Sequence, residues 1–382
     1  MKNMKSVTLK SFAKNILLLI IVIAVMLILL EVVIRLFFPQ NLNYTEFDSM
    51  LMYKHIPNFE VKYTRQEYSN EIRFNSKGLR DYEYSYEKPQ GTFRMLLLGS
   101  SFSQAIQVPL EQDFENILEK KLNSNLKGKY ELINGAVGGY GTAQELFFLK
   151  TDGLKYKPDL ILLDFSMRDI TENAISPLVS LENGKIAEHI PVKASLPKKI
   201  LLFCSRYLHL CSSIQTVILN DASKNKFLNF LLLKSGTSSS LIKTVTKEDL
   251  FYKNYTQEAN AAVEETFLLT NKIKNVADKN NIPLVMFIIP HREQVDDGKY
   301  KEFIMQNSLN EKELEYDKVQ KLALKFAKDN NINFFDMLPY FRQKNINNTF
   351  YFNIDGHWNK QGHELAAELL YNYLLENRFV NK

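Results

Sequence analysis

Cysteine is nearly absent from this chain. Its 382 residues hold two, Cys204 and Cys211, too few for a disulfide framework to stand in for a hydrophobic core. A strong charge excess is missing too. Lys and Arg number 48 against 43 Asp and Glu, a formal net charge of +5. Much of that excess is local, because Lys2, Lys5, Lys10 and Lys14 precede any acidic residue. The remainder is nearly balanced, with no basic stripe of the kind that binds nucleic acid. Several chemical signatures are also absent. There is no G-x-S-x-G elbow and no G-x-x-x-x-G-K-S/T phosphate loop. His357 and His363 are six apart and do not form the H-E-x-x-H zinc arrangement. Gly135–Gly141 does not match G-x-G-x-x-G, which argues against a dinucleotide site. No metal or organic cofactor is implied. What remains is ordinary for a folded protein: 45% apolar and 24% charged residues, which excludes a disordered or fibrous chain.

One long hydrophobic run is present. Ile16–Leu30 is unbroken, and Val32–Ile34 and Leu36–Phe38 extend it past Glu31 and Arg35. As helix, the run spans roughly 22 Å and the extended stretch roughly 35 Å, against a hydrocarbon core of about 30 Å. Glu31 and Arg35 are four apart and can pair, and Pro39 stops the helix. No A-x-A cleavage site or lipobox-like cysteine follows, so an uncleaved anchor is expected over residues 16–38. The basic tail, residues 1–15, before the span and Glu46 and Asp48 after it predict a cytoplasmic N-terminus. The main domain then faces the extracytoplasmic side, in the periplasm or at the cell surface. A Cys204–Cys211 disulfide is chemically possible there. However, Ile200–Leu219 reads as one helix, on which residues seven apart lie roughly 10.5 Å apart, beyond disulfide reach. Two free, mostly buried thiols are expected.

Residues 42–90 are rich in Tyr and charge and read as an irregular lead-in with short strands. Strands and helices then alternate. Phe93–Leu98, Tyr130–Asn134, Leu160–Phe165, Leu284–Ile289 and Asn333–Asp336 are short apolar runs that read as strands. Val108–Leu126, Thr142–Thr151, Gln257–Asn280, Glu311–Asn330 and Lys360–Leu375 have helical period. This alternation predicts an α/β fold, a parallel sheet of about five strands with helices on both faces, whose sites form at the carboxyl ends of the strands. One domain over 91–382 is expected, interrupted by an insertion over 170–255. The insertion has a helical part (Lys199–Leu219) and a Ser/Thr/Lys-rich part (Lys234–Lys247), and it could serve as a lid.

Three polar clusters directly follow strands: Gly99-Ser100-Ser101-Phe102, Asn134-Gly135-Ala136-Val137-Gly138-Gly139-Tyr140-Gly141, and Ser166-Met167-Arg168-Asp169. A parallel sheet brings all three to one edge. A fourth, Asp355-Gly356-His357-Trp358-Asn359, precedes the last helix. A nucleophilic serine needs a base within reach, and that base needs a carboxylate to hold its tautomer. Ser101, His357 and Asp355 supply the three types. The backbone N–H groups of Ser101 and Gly139 are candidates for stabilising an oxyanion. Each cluster also has a structural reading: a turn or cap serine, a tight glycine turn, a helix-start pair. His363 reads as capping or packing, and His291, at a strand end, could line the pocket. His55, His189 and His209 have no readable context.

These blocks resemble the SGNH/GDSL hydrolase superfamily, in particular its bacterial members with an N-terminal membrane anchor. The likeness includes Asn75-Ser76-Lys77-Gly78-Leu79-Arg80-Asp81 and Gly91-Thr92-Phe93-Arg94 upstream. Gly99-Ser100-Ser101-Phe102 is similar to the first block, Gly-Asp-Ser-Phe. Gly138-Gly139-Tyr140-Gly141-Thr142 is similar to the second, with Gly139 in the oxyanion glycine's place. Arg168-Asp169-Ile170 matches the third, and Asp355-Gly356-His357-Trp358-Asn359 the last. The resemblance implies a flavodoxin-like three-layer sandwich, with Ser101 as nucleophile, His357 as base and Asp355 as its orienting acid. There are three departures: Ser100 replaces Asp, Arg168 replaces an Asn oxyanion donor, and Asp355 stands two rather than three residues before the histidine. Arg168 could stabilise an oxyanion or bind an anionic group, or it could pair with Asp169 or Asp164 and fill the pocket. Two functions follow. One is a membrane-anchored serine esterase or O-acyltransferase acting on an acylated envelope glycan or lipid. The other is a catalytically impaired SGNH-like module that binds glycan or scaffolds an assembly.

Overall fold

A computed structural model describes residues 2–222, 245–346 and 349–381. In chain order the first elements are α1 (Lys2–Phe37), β1 (Thr45–Asp48), β2 (Met52–His55), β3 (Glu60–Thr64), β4 (Ser69–Arg73) and β5 (Thr92–Leu98). Next come α2 (Ser101–Gln104), α3 (Phe114–Asn125), β6 (Lys129–Asn134), α4 (Thr142–Thr151), β7 (Leu160–Phe165), α5 (Met167–Ile175), β8 (Val179–Glu182) and β9 (Lys185–Glu188). The chain continues with α6 (Leu196–Cys204), α7 (His209–Ala222), α8 (Gln257–Lys279), β10 (Leu284–Ile288), α9 (Arg292–Val295) and α10 (Asp297–Gln306). It ends with α11 (Lys318–Asp329), β11 (Asn333–Asp336), α12 (Leu338–Lys344) and α13 (Lys360–Glu376).

Described residues of 45–194 and 236–382 form one unit. Its centre is a five-stranded sheet of order β11-β10-β7-β5-β6, with every pair parallel. Counting only these strands, the order is the doubly wound 2-1-3-4-5. The strands are buried on both faces because their side chains alternate between two cores. Leu96 and Leu98, Ile161 and Leu163, and Met286 and Ile288 point into one core, which α4, α5, α8, α10 and α11 cover. Met95 and Leu97, Leu160 and Leu162, and Val285 and Phe287 point into the other, covered by α3, α12 and α13. The result is a three-layer α/β sandwich. Two hairpins from the lead-in, β1–β2 and β3–β4, are separate antiparallel pairs.

Helix boundaries differ from the sequence reading where caps intervene. The helix expected from Val108 starts at Phe114: Pro109 precedes a 3-10 turn over Leu110–Gln112, and the Asp113 side chain then caps α3 by accepting Asn116 N–H. The helix expected from Glu311 likewise begins with a separate 3-10 turn and resumes at Lys318.

The second unit takes described residues of 1–44 and 195–235. Within α1, Phe12–Phe37 is long and apolar enough to cross a membrane. The single helix expected over Ile200–Leu219 is two helices, α6 and α7, broken at residues 205–208. That break corrects the expectation of free thiols. It brings the Cys204 and Cys211 Cα atoms to 5.8 Å, and the two form a disulfide. Of the Ser/Thr/Lys-rich stretch Lys234–Lys247, residues 234–244 lie outside the described residues.

In α13, Gly362 donates to the Asn359 cap at 3.1 Å. A Cβ there would stand 2.4 Å from the Phe350 carbonyl and 2.8 Å from Trp358 Cβ, and Trp358 is fully buried. Helix propensity alone would make Gly362→Ala stabilising by about 1 kcal/mol. The overpacking is expected to reverse the sign and cost about 1–3 kcal/mol in denaturant unfolding.

Candidate active site

β5 ends at Leu98, and the chain turns through Gly99 and Ser100 into α2, which begins with Ser101. The turn is tight: a Cβ on Gly99 would lie 2.7 Å from Asp164 Oδ2. Asp164, near the end of β7, accepts the Ser103 hydroxyl at 2.7 Å and the Ser100 N–H at 3.4 Å. Where the superfamily's first block has Asp, Ser100 is buried, and β7 brings a carboxylate to the turn instead. Burial pushes the Asp164 carboxyl up to about 7, against the pull of those two hydrogen bonds.

His357 arrives from the loop before α13, some 256 residues downstream. Its Nε2 lies 2.8 Å from Ser101 Oγ, and its Nδ1 lies 2.5 Å from Asp355 Oδ1. The carboxylate favours the proton on Nδ1, leaving Nε2 to accept from the serine. The His357 and Asp355 side chains are 22% and 21% exposed, so the pair is reachable yet shielded. The neighbour Trp358 anchors this loop in the core. Its indole stacks on Phe341 at 5.2 Å and meets Phe102 edge-on at 5.2 Å, while Phe102 lies 4.7 Å from the imidazole. Gly356, at φ +81°, supplies the left-handed residue between acid and base.

The lead-in supports the acid. The turn between β3 and β4 carries Glu67 and Tyr68. Glu67 accepts the backbone N–H groups of Asn353, Ile354 and Asp355 at 2.7, 2.9 and 2.9 Å. Tyr68 donates its hydroxyl to Asp355 Oδ2 at 2.8 Å. Burial opposes ionisation of Asp355, but the bonds from His357 and Tyr68 outweigh it and hold the carboxyl below its ordinary range.

The lead-in also helps to pin the glycine loop after β6. Gly138 N–H donates to Gln104 Oε1 at 3.1 Å, and the Tyr53 hydroxyl donates to the Gly138 carbonyl at 3.1 Å. The Gln104 amide in turn donates to His55 Nε2 at 2.6 Å, and His55 Nδ1–H donates to the Gly78 carbonyl at 3.0 Å. Burial drives the His55 pKa down to about 3, so the ring stays neutral and fits both roles. Gly139 sits at φ +81°, and a Cβ on it would lie 2.7 Å from Tyr53 Oη. Arg80 ties the end of α2 in place, donating to Gln104 O at 3.0 Å, Val108 O at 2.6 Å and Asp113 at 3.1 Å. The N–H groups of Ser101 and Gly139 have no hydrogen-bond partner among the described residues.

Of the two readings open for Arg168, pairing with Asp169 or Asp164 is the one the structure does not show. Arg168 pairs instead with Glu172, one turn on, at 2.7 Å, and its side chain is half exposed. Asp169 caps α5 instead, accepting the Ser166 N–H at 2.6 Å and hydroxyl at 3.1 Å. His363 is a packing residue: buried, it accepts the Phe114 N–H at 3.2 Å. His291 is buried edge-on to Phe102 at 6.0 Å, and desolvation lowers its pKa to about 3. The sequence reading missed Glu67, Tyr68, Tyr53, His55 and Gln104. The abundance of Tyr in residues 42–90 was the available signal for Tyr53 and Tyr68, and the sequence offered none for Glu67, His55 and Gln104.

Among known families, the model described as "SGNH hydrolase-like domain, acetyltransferase AlgX" matches residues 247–381. That segment includes Asp355 and His357 and leaves out Ser101. No curated protein matches the chain. Solved structures similar to it include an acetyl xylan esterase, AlAXEase, at 14% identity and TM-score 0.41, over 74% of this chain and 100% of that one. A two-domain esterase (CEX) active on acetylated mannans is 12% identical with TM-score 0.38, over 74% of this chain and 49% of that one. A lipase/acylhydrolase from Enterococcus faecalis is 14% identical with TM-score 0.38, over 74% and 95%.

Because Asp355 titrates below its unfolded value in the folded chain, its contribution to stability is present above the ordinary carboxyl range and is lost as pH falls through the folded value. Tyr68→Phe removes one of the bonds responsible. The carboxyl-carbon NMR titration of Asp355 should move up in the variant by about one unit, the scale of a hydrogen bond to a charged group. An unmoved midpoint would show that Tyr68 does not hold the acid.

Proposed function

From the premise that this chain belongs to the SGNH hydrolase superfamily, whose hydrolase-like domain matches residues 247–381, we propose that it is a membrane-anchored serine O-acyl hydrolase or O-acyltransferase. The observation that carries this reading is the unbroken hydrogen-bond chain from Ser101 Oγ through His357 to Asp355, at 2.8 and 2.5 Å. The chemistry follows from those atoms. Ser101 Oγ attacks the ester carbonyl as His357 Nε2 takes its proton, and Asp355 stabilises the imidazolium that results. The carbonyl oxygen becomes an oxyanion and meets the Ser101 and Gly139 N–H groups. Collapse breaks the bond to the alkoxy group, which leaves with the proton from His357. The acyl group then sits on Ser101 until water or a sugar hydroxyl attacks it. Water makes the protein an esterase, and a hydroxyl makes it a transferase.

Arg168 lies outside this relay. With its guanidinium half exposed and shared with Glu172, it fits recognition of a negatively charged substrate group better than oxyanion donation. The apolar segment Phe12–Phe37 supports an anchor, with the main domain outside the cytoplasm. Anchoring favours acylated polymers or lipids of the envelope over free metabolites, and the acetyltransferase in the matched family's description favours acetyl as the acyl group. The loss of the superfamily's Asn donor at position 168 leaves two backbone donors, which favours the alternative of a catalytically impaired glycan-binding module.

The full chain in detergent should hydrolyse an aryl acetate, and Ser101→Ala should lower that rate by about 10³-fold or more. A folded parent no faster than Ser101→Ala would leave the glycan-binding module as the reading.

A further inference from the structure

The smaller unit carries a second apolar surface besides α1. On α6, Leu196, Ile200 and Phe203 are spaced at i, i+4 and i+7, which puts them on one helix face. They are 70%, 57% and 62% exposed. Tyr207, 50% exposed, extends the stripe past the end of the helix, its ring packed edge-on to Phe203 at 5.4 Å. Leu208 and Ile214 add further exposed apolar area. Basic groups border the stripe: Lys199 is exposed, and the Arg206 guanidinium lies 5.9 Å from the Tyr207 ring centroid. A short helix with a bulky apolar face, an aromatic at its edge and flanking cations is the composition of a segment lying flat in a bilayer interface.

What covers this face follows from where the hairpin is fastened. The last two turns of α1 hold it. Glu31 accepts the N–H groups of His209 and Leu210, at 3.0 and 2.8 Å, from the start of α7. Arg35 bonds both Glu31 and the Tyr207 carbonyl, at 3.0 and 2.9 Å. Just beyond the helix, Gln40 N–H donates to His209 Nδ1 at 2.8 Å, the Asn43 amide to Leu202 O at 3.1 Å, and the Ser212 hydroxyl to Asn41 O at 2.6 Å. The Cys204–Cys211 disulfide locks α6 to α7. From Phe12 to Glu31 a helix rises about 28 Å, roughly one hydrocarbon thickness. The polar knot at Glu31 and Arg35 therefore falls where α1 leaves the hydrocarbon, and a pair held that way is also how charges survive at that depth.

We propose that the α6–α7 hairpin is a second membrane contact, lying in the bilayer interface beside the exit of α1 with Leu196, Ile200, Phe203 and Tyr207 immersed among phospholipid headgroups and upper acyl chains. The inference rests on the reading that α1 spans a membrane, and it is independent of any catalytic role. Its consequence is a two-point attachment: α1 alone leaves the chain free to swivel, and an in-plane hairpin fixed to α1 restrains that rotation.

The test reconstitutes the full chain in phosphatidylglycerol–phosphatidylcholine vesicles that contain a phospholipid with a photoactivatable diazirine near the headgroup end of its acyl chain. Irradiation should label peptides from α1 and from residues 196–208. The double variant Ile200→Glu/Phe203→Glu, at exposed positions, should lower labelling of 196–208 by about tenfold while leaving α1 labelling unchanged. If α1 is labelled and 196–208 is labelled no more than the peptide bearing exposed Met305, the proposal is overturned while the anchor stands. If α1 itself escapes labelling, the anchor reading fails and this inference falls with it.

Discussion

An imidazole held between a carboxylate and a hydroxyl is the constraint to which the larger unit answers. His357 presents Nε2 to Ser101 while Nδ1 is held on Asp355, across a sequence separation of 256 residues from Ser101. Ser101 opens α2 just past the end of β5, an interior strand that β7 and β6 flank, where sheet order and register leave little freedom. His357 sits on a loop, which has no register of its own. Its position comes from Trp358, whose indole is enclosed by Phe341, Phe102 and Phe114, and from Gly362, which lets α13 start against that indole. A core aromatic thus does for His357 what strand pairing does for Ser101.

The lead-in hairpins complete the arrangement from the outside. The β3–β4 turn grips the acid's backbone through Glu67 and its side chain through Tyr68. The residues around β2 grip the glycine loop, Tyr53 directly and His55 by way of Gln104. These small hairpins have no place in the sheet, yet they fix both the acid and the turn that carries Gly139. Side chains pre-set in this way lower the reorganisation needed when charge develops, which is where a polar site acquires its advantage over water. The buried neutral His55 shows the same economy: it accepts at one nitrogen and donates at the other, and a charged ring could do only the second.

The parts legible in the sequence are those set by local pattern. Mostly apolar runs such as Leu160–Phe165 mark strands because a parallel sheet covered on both faces buries side chains on both sides, and the observed β7 has those bounds, Asp164 near its end being the polar exception. The types Ser, Asp and His at strand ends and before the last helix marked the candidate residues, and a superfamily resemblance ordered their roles. What the sequence does not display are contacts without period. Tyr68 meets Asp355 across 287 residues, and no local spacing encodes such a pairing. The disulfide was hidden for a related reason. The break between α6 and α7 contains neither Gly nor Pro, so the continuous apolar pattern read as one helix and put the cysteines out of reach. Arg168 was legible as a departure but not in its partner, since Glu172 one turn away pairs with it in place of the buried Asp164 and Asp169.

The central claim is that Ser101 is an activated nucleophile, and covalent trapping tests it most directly. A fluorophosphonate incubated with the full chain, followed by peptide mass spectrometry, should place one adduct on Ser101, with none on Ser100 or Ser103 and none after Asp355→Ala or His357→Ala. A folded chain that takes up no label, or that takes it up on a different serine, would contradict the account.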